Sequence, residues 1–281
     1  MMPSRKTLKL PDIELSYLEW NRGKEPLLLL HGLGDHAGVW CSLGEYLADR
    51  YHIVAPDMRG HGESGKPETG YSATEAIADL EGVMNHLGWD CAHILGHSWS
   101  GKLIPIWARQ NPQRFKTTIL VDPIFITKMP SFLKLSFPIL YRTLDCLKMI
   151  GPFPSYEAAQ AQAQQLGQYA GWSPLQQQVF EGSIEQKLDG NWGSKFVVAA
   201  RDGIFADVMR VAGLTEAIAI PTLFIQPEKG VNRSAWQMKP YLKYLKHLRI
   251  QRLPGNHWPF LVQPTAFNQT IETFLAEFAS S

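Results

Sequence analysis

Apolar positions in this chain fall in short runs whose period switches along the sequence, and the switching predicts strands alternating with helices. Residues 6–10 and 13–20 read as two short strands joined by the Pro11-Asp12 turn. Residues 26–30 are continuously apolar, as expected of a strand covered on both faces. Residues 38–49 then have helical spacing and 51–55 read as strand. The alternation continues with helix 73–87, strand 92–95, helix 102–110 and strand 117–121. Strands alternating with helices of this size predict a mostly parallel sheet with helices on both faces.

From 123 to 220 the pattern changes. Glutamine, proline and aromatic residues replace the strand runs, and residues 129–150 read as an apolar helix interrupted at Pro138. Strand-like segments return at 222–225 and 248–253, with helical segments at 235–245 and 265–278. The region between is therefore expected to be an insertion into a single domain. No internal repeat is visible.

Charge narrows the choice of partner. The 281 residues carry 27 basic and 26 acidic side chains, a formal net charge of +1 with no basic stripe, so nucleic acid is not an expected partner and a small-molecule substrate is. The first ten residues hold Arg5, Lys6 and Lys9 with no apolar core behind them, unlike a secretory signal. The charge-free stretch 158–180 contains eight glutamines besides Gly167, Gly171 and Pro174, which argues against stable membrane insertion. Cys41, Cys91 and Cys146 are scattered without metal-ligand spacing and are expected at buried apolar positions. Together these features predict a soluble, cytoplasmic protein. Its oligomeric state is left open.

The chemistry concentrates in Gly96-His97-Ser98-Trp99-Ser100-Gly101, directly after the apolar run 92–95. A serine between small residues at a strand-to-helix turn fits a nucleophile elbow, where a strained backbone lifts the hydroxyl above the sheet. Ser100 stands where the G-x-S-x-G pattern wants glycine. The plainer alternative makes Ser98 a polar turn residue. A second glycine-rich loop, His31-Gly32-Leu33-Gly34-Asp35-His36-Ala37-Gly38, follows the first buried strand. With Asp57 it imitates a dinucleotide-binding turn, but Ala37 occupies the place of the third glycine, and none of the nine tyrosines has a lysine four residues on. For a serine nucleophile this loop needs to offer only a main-chain donor. The Leu33 and Trp99 N–H groups are expected to form an oxyanion hole worth about 3 to 4 kcal/mol per donor. Gly32 and Gly34 are read as permitting close approach to substrate, and His31 as fixing the loop.

With Asp57-Met58-Arg59-Gly60-His61-Gly62-Glu63-Ser64, a turn common in that family, these motifs make the chain resemble α/β-hydrolase fold enzymes over essentially its whole length outside the insertion. The resemblance implies a mostly parallel eight-stranded sheet with a short antiparallel start, formed by residues 1–122 and 221–281, and a helical cap formed by 123–220. It leaves Asp57 and His61 as structural residues. His257, between the last strand and last helix, stands where the family carries its catalytic histidine. The usual acid site departs from the pattern, since Gln226-Pro227-Glu228-Lys229-Gly230 puts Gly230 where an aspartate is expected. Two carboxylates remain. Asp122 ends the strand after the elbow helix and resembles the alternative acid site of haloalkane dehalogenases; Glu228 is displaced by two residues from the usual place. Asp122 is preferred, because a carboxylate at the carboxyl end of a central strand is rigidly held where such sheets bind ligands, although an Asp-Pro pair also simply starts turns.

Ser98, His257 and Asp122 then predict acyl transfer without metal or organic cofactor, and hydrolysis of a small to medium, largely uncharged carboxylic ester leads the candidates. A serine argues against haloalkane dehalogenase and epoxide hydrolase chemistry, which use aspartate as nucleophile. Carbon–carbon bond hydrolysis or lysis of the menaquinone-pathway or ring-cleavage type, cofactor-free dioxygenation, and a slow-turnover ligand receptor are the alternatives. Phe132, Leu135, Phe137, Leu140, Tyr141, Trp172 and Trp192 of the insertion are expected either to line an acyl pocket or to pack cap against core, the greater number packing. Contact of 132–150 with a membrane surface, through Lys134, Arg142 and Lys148, ranks below packing.

Overall fold

Leu27, Leu28, Leu29 and Leu30 are all fully buried, and they divide by parity between two cores. Leu28 and Leu30 join one apolar cluster, Leu27 and Leu29 the other. A strand alternates its side chains between faces, so a run without polar positions signals a sheet covered on both sides. Each such leucine contributes about 1.5 to 3 kcal/mol of burial.

The computed structural model describes residues 2–278 except 131, 133, 134, 136, 138, 140, 142 and 143. The main sheet has eight strands: β1 (Ser4–Lys9), β2 (Glu14–Asn21), β3 (Glu25–Leu30), β4 (Tyr51–Pro56), β5 (Ala92–His97), β6 (Phe115–Val121), β9 (Thr222–Lys229) and β10 (Leu248–Asn256). Their spatial order is β1-β2-β4-β3-β5-β6-β9-β10. The pairs β1–β2 and β2–β4 are antiparallel, and all later pairs are parallel. One face is covered from α2 (Ala73–His86), α3 (Trp99–Gln110) and α8 (Ala235–Tyr244). The other is covered from α1 (Cys41–Leu47), α9 (Pro259–Val262) and α10 (Pro264–Ala276). Ser72 with Glu75 and Ser234 with Gln237 form capping boxes that fix the starts of α2 and α8.

Between β6 and β9 lie α4 (Asp145–Lys148), α5 (Tyr156–Ala163), α6 (Pro174–Ser183) and α7 (Val198–Arg210), with a two-stranded hairpin of β7 (Ile184–Gln186) and β8 (Trp192–Ser194). The hairpin was not foreseen, because three-residue strands are too short to show a period; its turn signal, Asp189-Gly190 with Gly190 at φ +83°, is present in the sequence. Of the apolar helix expected over 129–150, α4 is described, and Phe137, Ile139 and Tyr141 are also helical. Pro138, Lys134, Leu140 and Arg142 lie outside the described residues. Just before β9 the Ile218 N–H donates to the Tyr244 carbonyl at 2.8 Å, and the Lys246 N–H to the Ile218 carbonyl at 3.0 Å. Helix α7 is tied to the core helix α2, where the Asp207 carboxylate accepts from the Ala73 N–H at 3.1 Å.

Cys41 is buried as expected, Cys91 is only half-buried, and the side chain of Cys146 lies outside the described residues. Among the described residues no helix is long and apolar enough to cross a membrane.

Candidate active site

Ser98 follows the carboxyl end of β5 and has φ 54°, ψ −111°, a left-handed backbone rarely adopted by a side-chain-bearing residue. The turn closes because its flanks are small. A Cβ on Gly96 would lie 2.9 Å from the Ser100 main chain and 2.7 Å from Ile104 Cδ1; one on Gly101 would lie 3.1 Å from Pro123. Ser100, the departure from the usual glycine, is fully buried, and its hydroxyl donates to the His31 carbonyl at 2.5 Å. The extra oxygen thus ties the elbow to the glycine-rich loop.

The structure brings together the three side chains that the sequence singled out. With its proton on Nδ1, His257 donates to Asp122 Oδ2 at 2.6 Å, and its Nε2 accepts from the Ser98 hydroxyl at 2.9 Å. Asp122 is fully buried, whereas the His257 side chain keeps 15 % of its surface exposed. The carboxylate also accepts from the Val231 N–H at 2.8 Å, the Asn232 N–H at 3.1 Å and the Asn232 Nδ2–H at 3.0 Å. Burial opposes ionisation of Asp122, but His257 and these main-chain donors outweigh it and hold the carboxyl below its usual range. Val231 and Asn232 were not identified from sequence, because nothing but spatial proximity links the segment after β9 to the end of β6. Glu228 is exposed and no hydrogen bond joins it to His257.

Leu33 and Ser98 line one cavity of about 330 Å³, together with Ile124, Phe125, His257 and Trp258. Neither the Leu33 nor the Trp99 N–H is used in a loop or cap hydrogen bond among the described residues. The Trp99 N–H belongs to the first turn of α3, which has no helical acceptor for it. Free donors at a helix start beside a serine hydroxyl are suited to receive a developing oxyanion.

The glycine-rich loop is pinned at several points. His31 is buried, donates from Nδ1 to the Gly32 carbonyl at 2.7 Å and accepts at Nε2 from the Met58 N–H at 2.9 Å, which agrees with a loop-fixing role. His36 bonds the Val179 carbonyl of α6 through Nε2 at 2.8 Å. Both glycines also answer local requirements of the loop. Gly34 is needed for its φ of +78°, and Gly32 makes room for the His97 ring, whose Nδ1 a Cβ would meet at 2.6 Å.

Asp57 and His61 lie outside this constellation. Asp57 accepts from the Ala37 N–H at 2.7 Å, the Glu63 N–H at 3.0 Å and the Arg5 guanidinium at 2.7 Å. Burial takes the His61 pKa down to about 3; its ring stacks on Phe196 at 4.3 Å.

Of the seven insertion residues expected either to line an acyl pocket or to pack, the greater number pack, as expected. Phe137 and Tyr141 pack on Phe205, Trp172 on Phe180 and Trp192 on Tyr156. Phe132 and Leu135 are exposed. Ile124, Phe125 and Leu144 are the apolar residues of 123–220 that line the cavity. Phe125 itself has φ 47°, a strained turn just beyond β6. Asp145, at the start of α4, is an acidic group in the lining; its carboxylate accepts from the Gly167 N–H at 3.2 Å. Among the described residues no group of three or more His, Cys, Asp or Glu is arranged to hold a metal ion.

A model of the alpha/beta hydrolase fold family matches residues 25–264, and the chain belongs to that family. The soluble epoxide hydrolase of Corynebacterium sp. (strain C12) is 36 % identical over 117 residues, 41 % of this chain and 39 % of that protein, so the chain aligns with well under half of that relative's length. Among solved structures, an E-2-(acetamidomethylene)succinate hydrolase superposes with a TM-score of 0.80 over 98 % of this chain and 99 % of that one, at 22 % identity. A marine microorganism esterase superposes with a TM-score of 0.74 over 96 % and 100 %, also at 22 % identity. At these identities the superpositions establish the fold.

Proposed function

We propose that the protein is a serine hydrolase that cleaves a small to medium, largely uncharged carboxylic ester through an acyl-enzyme. The hydrogen-bonded chain from Ser98 through His257 to Asp122 carries the proposal. His257 takes the Ser98 proton as the oxygen attacks the carbonyl, and the Leu33 and Trp99 N–H groups receive the oxyanion. His257 then returns the proton to the alcohol that leaves and activates water for deacylation, with Asp122 fixing its tautomer throughout. Residues 123–220 form the cap, which supplies Ile124, Phe125, Leu144 and Asp145 to the cavity. Scattered cysteines support a cytoplasmic setting.

The epoxide hydrolase relative does not set the reaction. Opening an epoxide with a serine oxygen would leave an ether, which water and an imidazole cannot cleave, whereas an acyl-serine is an ordinary ester. The cavity size fits a short or medium acyl chain, and its lining is mostly apolar. The test is hydrolysis of short and medium acyl p-nitrophenyl esters. A burst of nitrophenol equal to the enzyme concentration, absent in Ser98→Ala, is expected. Retained hydrolysis in Ser98→Ala would overturn the proposal, and binding of a small molecule without turnover would favour a receptor.

A further inference from the structure

Behind His257 lies a second carboxylate–imidazole pair that the proposed reaction does not consume. His97, the residue before the nucleophile, is 1 % exposed, and Asp35, in the glycine-rich loop, is 5 % exposed. The His97 Nε2–H donates to the main-chain carbonyl of His257 at 2.8 Å, and the two rings are 4.6 Å apart. The other nitrogen, Nδ1, lies 3.4 Å from Asp35 Oδ2 and has no hydrogen-bond partner among the described residues. The Asp35 carboxylate accepts one side-chain bond, from Trp258 Nε1 at 3.2 Å.

Two acceptors therefore face the two nitrogens of one buried ring. A neutral imidazole has a single N–H, here committed to the His257 carbonyl, so Nδ1 presents a lone pair to a carboxylate. A buried carboxylate with one neutral donor, set against a lone pair, is a costly arrangement. One added proton removes both faults. On Nδ1 it makes an imidazolium facing a carboxylate; on Oδ2 it makes a carboxylic acid that donates to an imidazole. Both forms leave the pair electrically neutral, and the proton belongs to the pair. Burial and the neighbouring His257 lower the basicity of His97, while Asp35 works to restore it.

We propose that Asp35 and His97 share one proton as a net-neutral buried pair that positions His257, setting the loop that carries the base and the loop that carries the Leu33 N–H as one unit. The proposal rests on the reading of Ser98, His257 and Asp122 given above. Asp35 and His97 are positioning residues: they act through the His257 carbonyl and the Trp258 indole. The titratable groups that face or influence the pair are His257 with Asp122 behind it, His31 from the same loop, His61 from the turn after β4, and Tyr169.

Net neutrality has a kinetic signature. An ionised Asp35 beside a neutral His97 would favour protonated His257 and raise the acid limb of the kcat/KM profile; a neutral pair leaves that limb alone. Asp35→Asn keeps a donor for His97 Nδ1 and carries no charge. We expect Asp35→Ala to lower kcat about tenfold with KM within about twofold, and Asp35→Asn to recover most of that loss with its acid limb unmoved. Rates are counted per active site by burst titration, so a loss of folded protein does not register. An acid limb moved down in Asp35→Asn, or Asp35→Ala as active as the parent, would overturn the proposal.

A second measurement needs no turnover. Proton NMR of the full chain should show an exchange-protected downfield signal from the shared proton, present in Ser98→Ala and lost in Asp35→Ala. Absence of that signal from the parent protein overturns the pair itself. Its presence in a protein that hydrolyses no ester would keep the pair and sink the hydrolase reading instead, so the two failures are distinguishable.

Discussion

Gly230 abuts the carboxylate of Asp122: a Cβ at position 230 would lie 2.5 Å from Asp122 Oδ2 and 2.9 Å from its Cγ. The place where the resemblance led one to expect an acid is thus where the acid from the neighbouring strand lies. The same two residues of chain that follow, Val231 and Asn232, supply the donors that hold it. A side chain at 230 and a carboxylate at 122 compete for one space.

Gly230→Ala should therefore impair catalysis by displacing the carboxylate. The contact is with a side chain held by three donors besides His257, so it has little room to yield. A fall in kcat of about tenfold or more, with KM nearly unchanged, is expected in steady-state ester hydrolysis. Parental kcat would show that Asp122 is not held as described.

Asp122→Asn should lower kcat by about three to four orders of magnitude, because an amide cannot fix the tautomer of His257 or stabilise its charged form. Glu228→Gln, at an exposed position, should leave most of the activity. The reverse ranking in parallel assays would move the acid to Glu228.

Much of this was legible because the sequence pattern and the physics coincide. The leucine run of β3, the small flanks of Ser98 and the place of His257 after β10 each follow from local constraints that leave a mark on consecutive residues. Asp122 was legible for a different reason, namely that glycine cannot orient an imidazole. The rest depends on contacts between distant segments. Asn232 meets Asp122 across 110 positions, His97 meets the His257 carbonyl across 160, and Ser100 meets the His31 carbonyl across 69. No periodicity encodes such meetings. The cavity lining was only partly legible for a related reason: Phe137, Tyr141, Trp172 and Trp192 pack on aromatic partners within 123–220, in line with the preference for packing, whereas Ile124, Phe125, Leu144 and Asp145 reach the cavity through the tertiary fold.

Asp145 should select against anionic substrates. Asp145 lines the cavity, while Lys148, which pairs with it at 2.8 Å, does not. A charge of like sign near a partly exposed carboxylate costs about 1 kcal/mol, a factor of about five. Asp145→Asn should raise kcat/KM by about that factor for a half-ester of a dicarboxylic acid, and leave a neutral ester of equal length within about twofold. An unchanged ratio between the two esters would remove Asp145 from substrate selection.

Acid should destabilise the fold through buried neutral histidines, His61 foremost. Its pKa falls from 6.5 to about 3 on folding, so below pH 6.5 the unfolded chain binds a proton that the folded one refuses. The associated stability is intact above pH 6.5 and is lost at about 1.4 kcal/mol per pH unit as pH falls towards 3. His61→Phe retains stacking on Phe196 and Trp99 but cannot titrate. Urea unfolding at pH 7.5 and 5.5 should show a smaller loss for the variant than for the parent. Equal losses would count against a neutral buried His61.

The most direct measurement is the site of covalent modification by a nitrophenyl alkylphosphonate, read by mass spectrometry of the digested protein. The account predicts one adduct per chain, on Ser98, forming at least about a hundredfold more slowly in His257→Ala. An adduct on another residue, or equal labelling rates with and without the imidazole at 257, would contradict it.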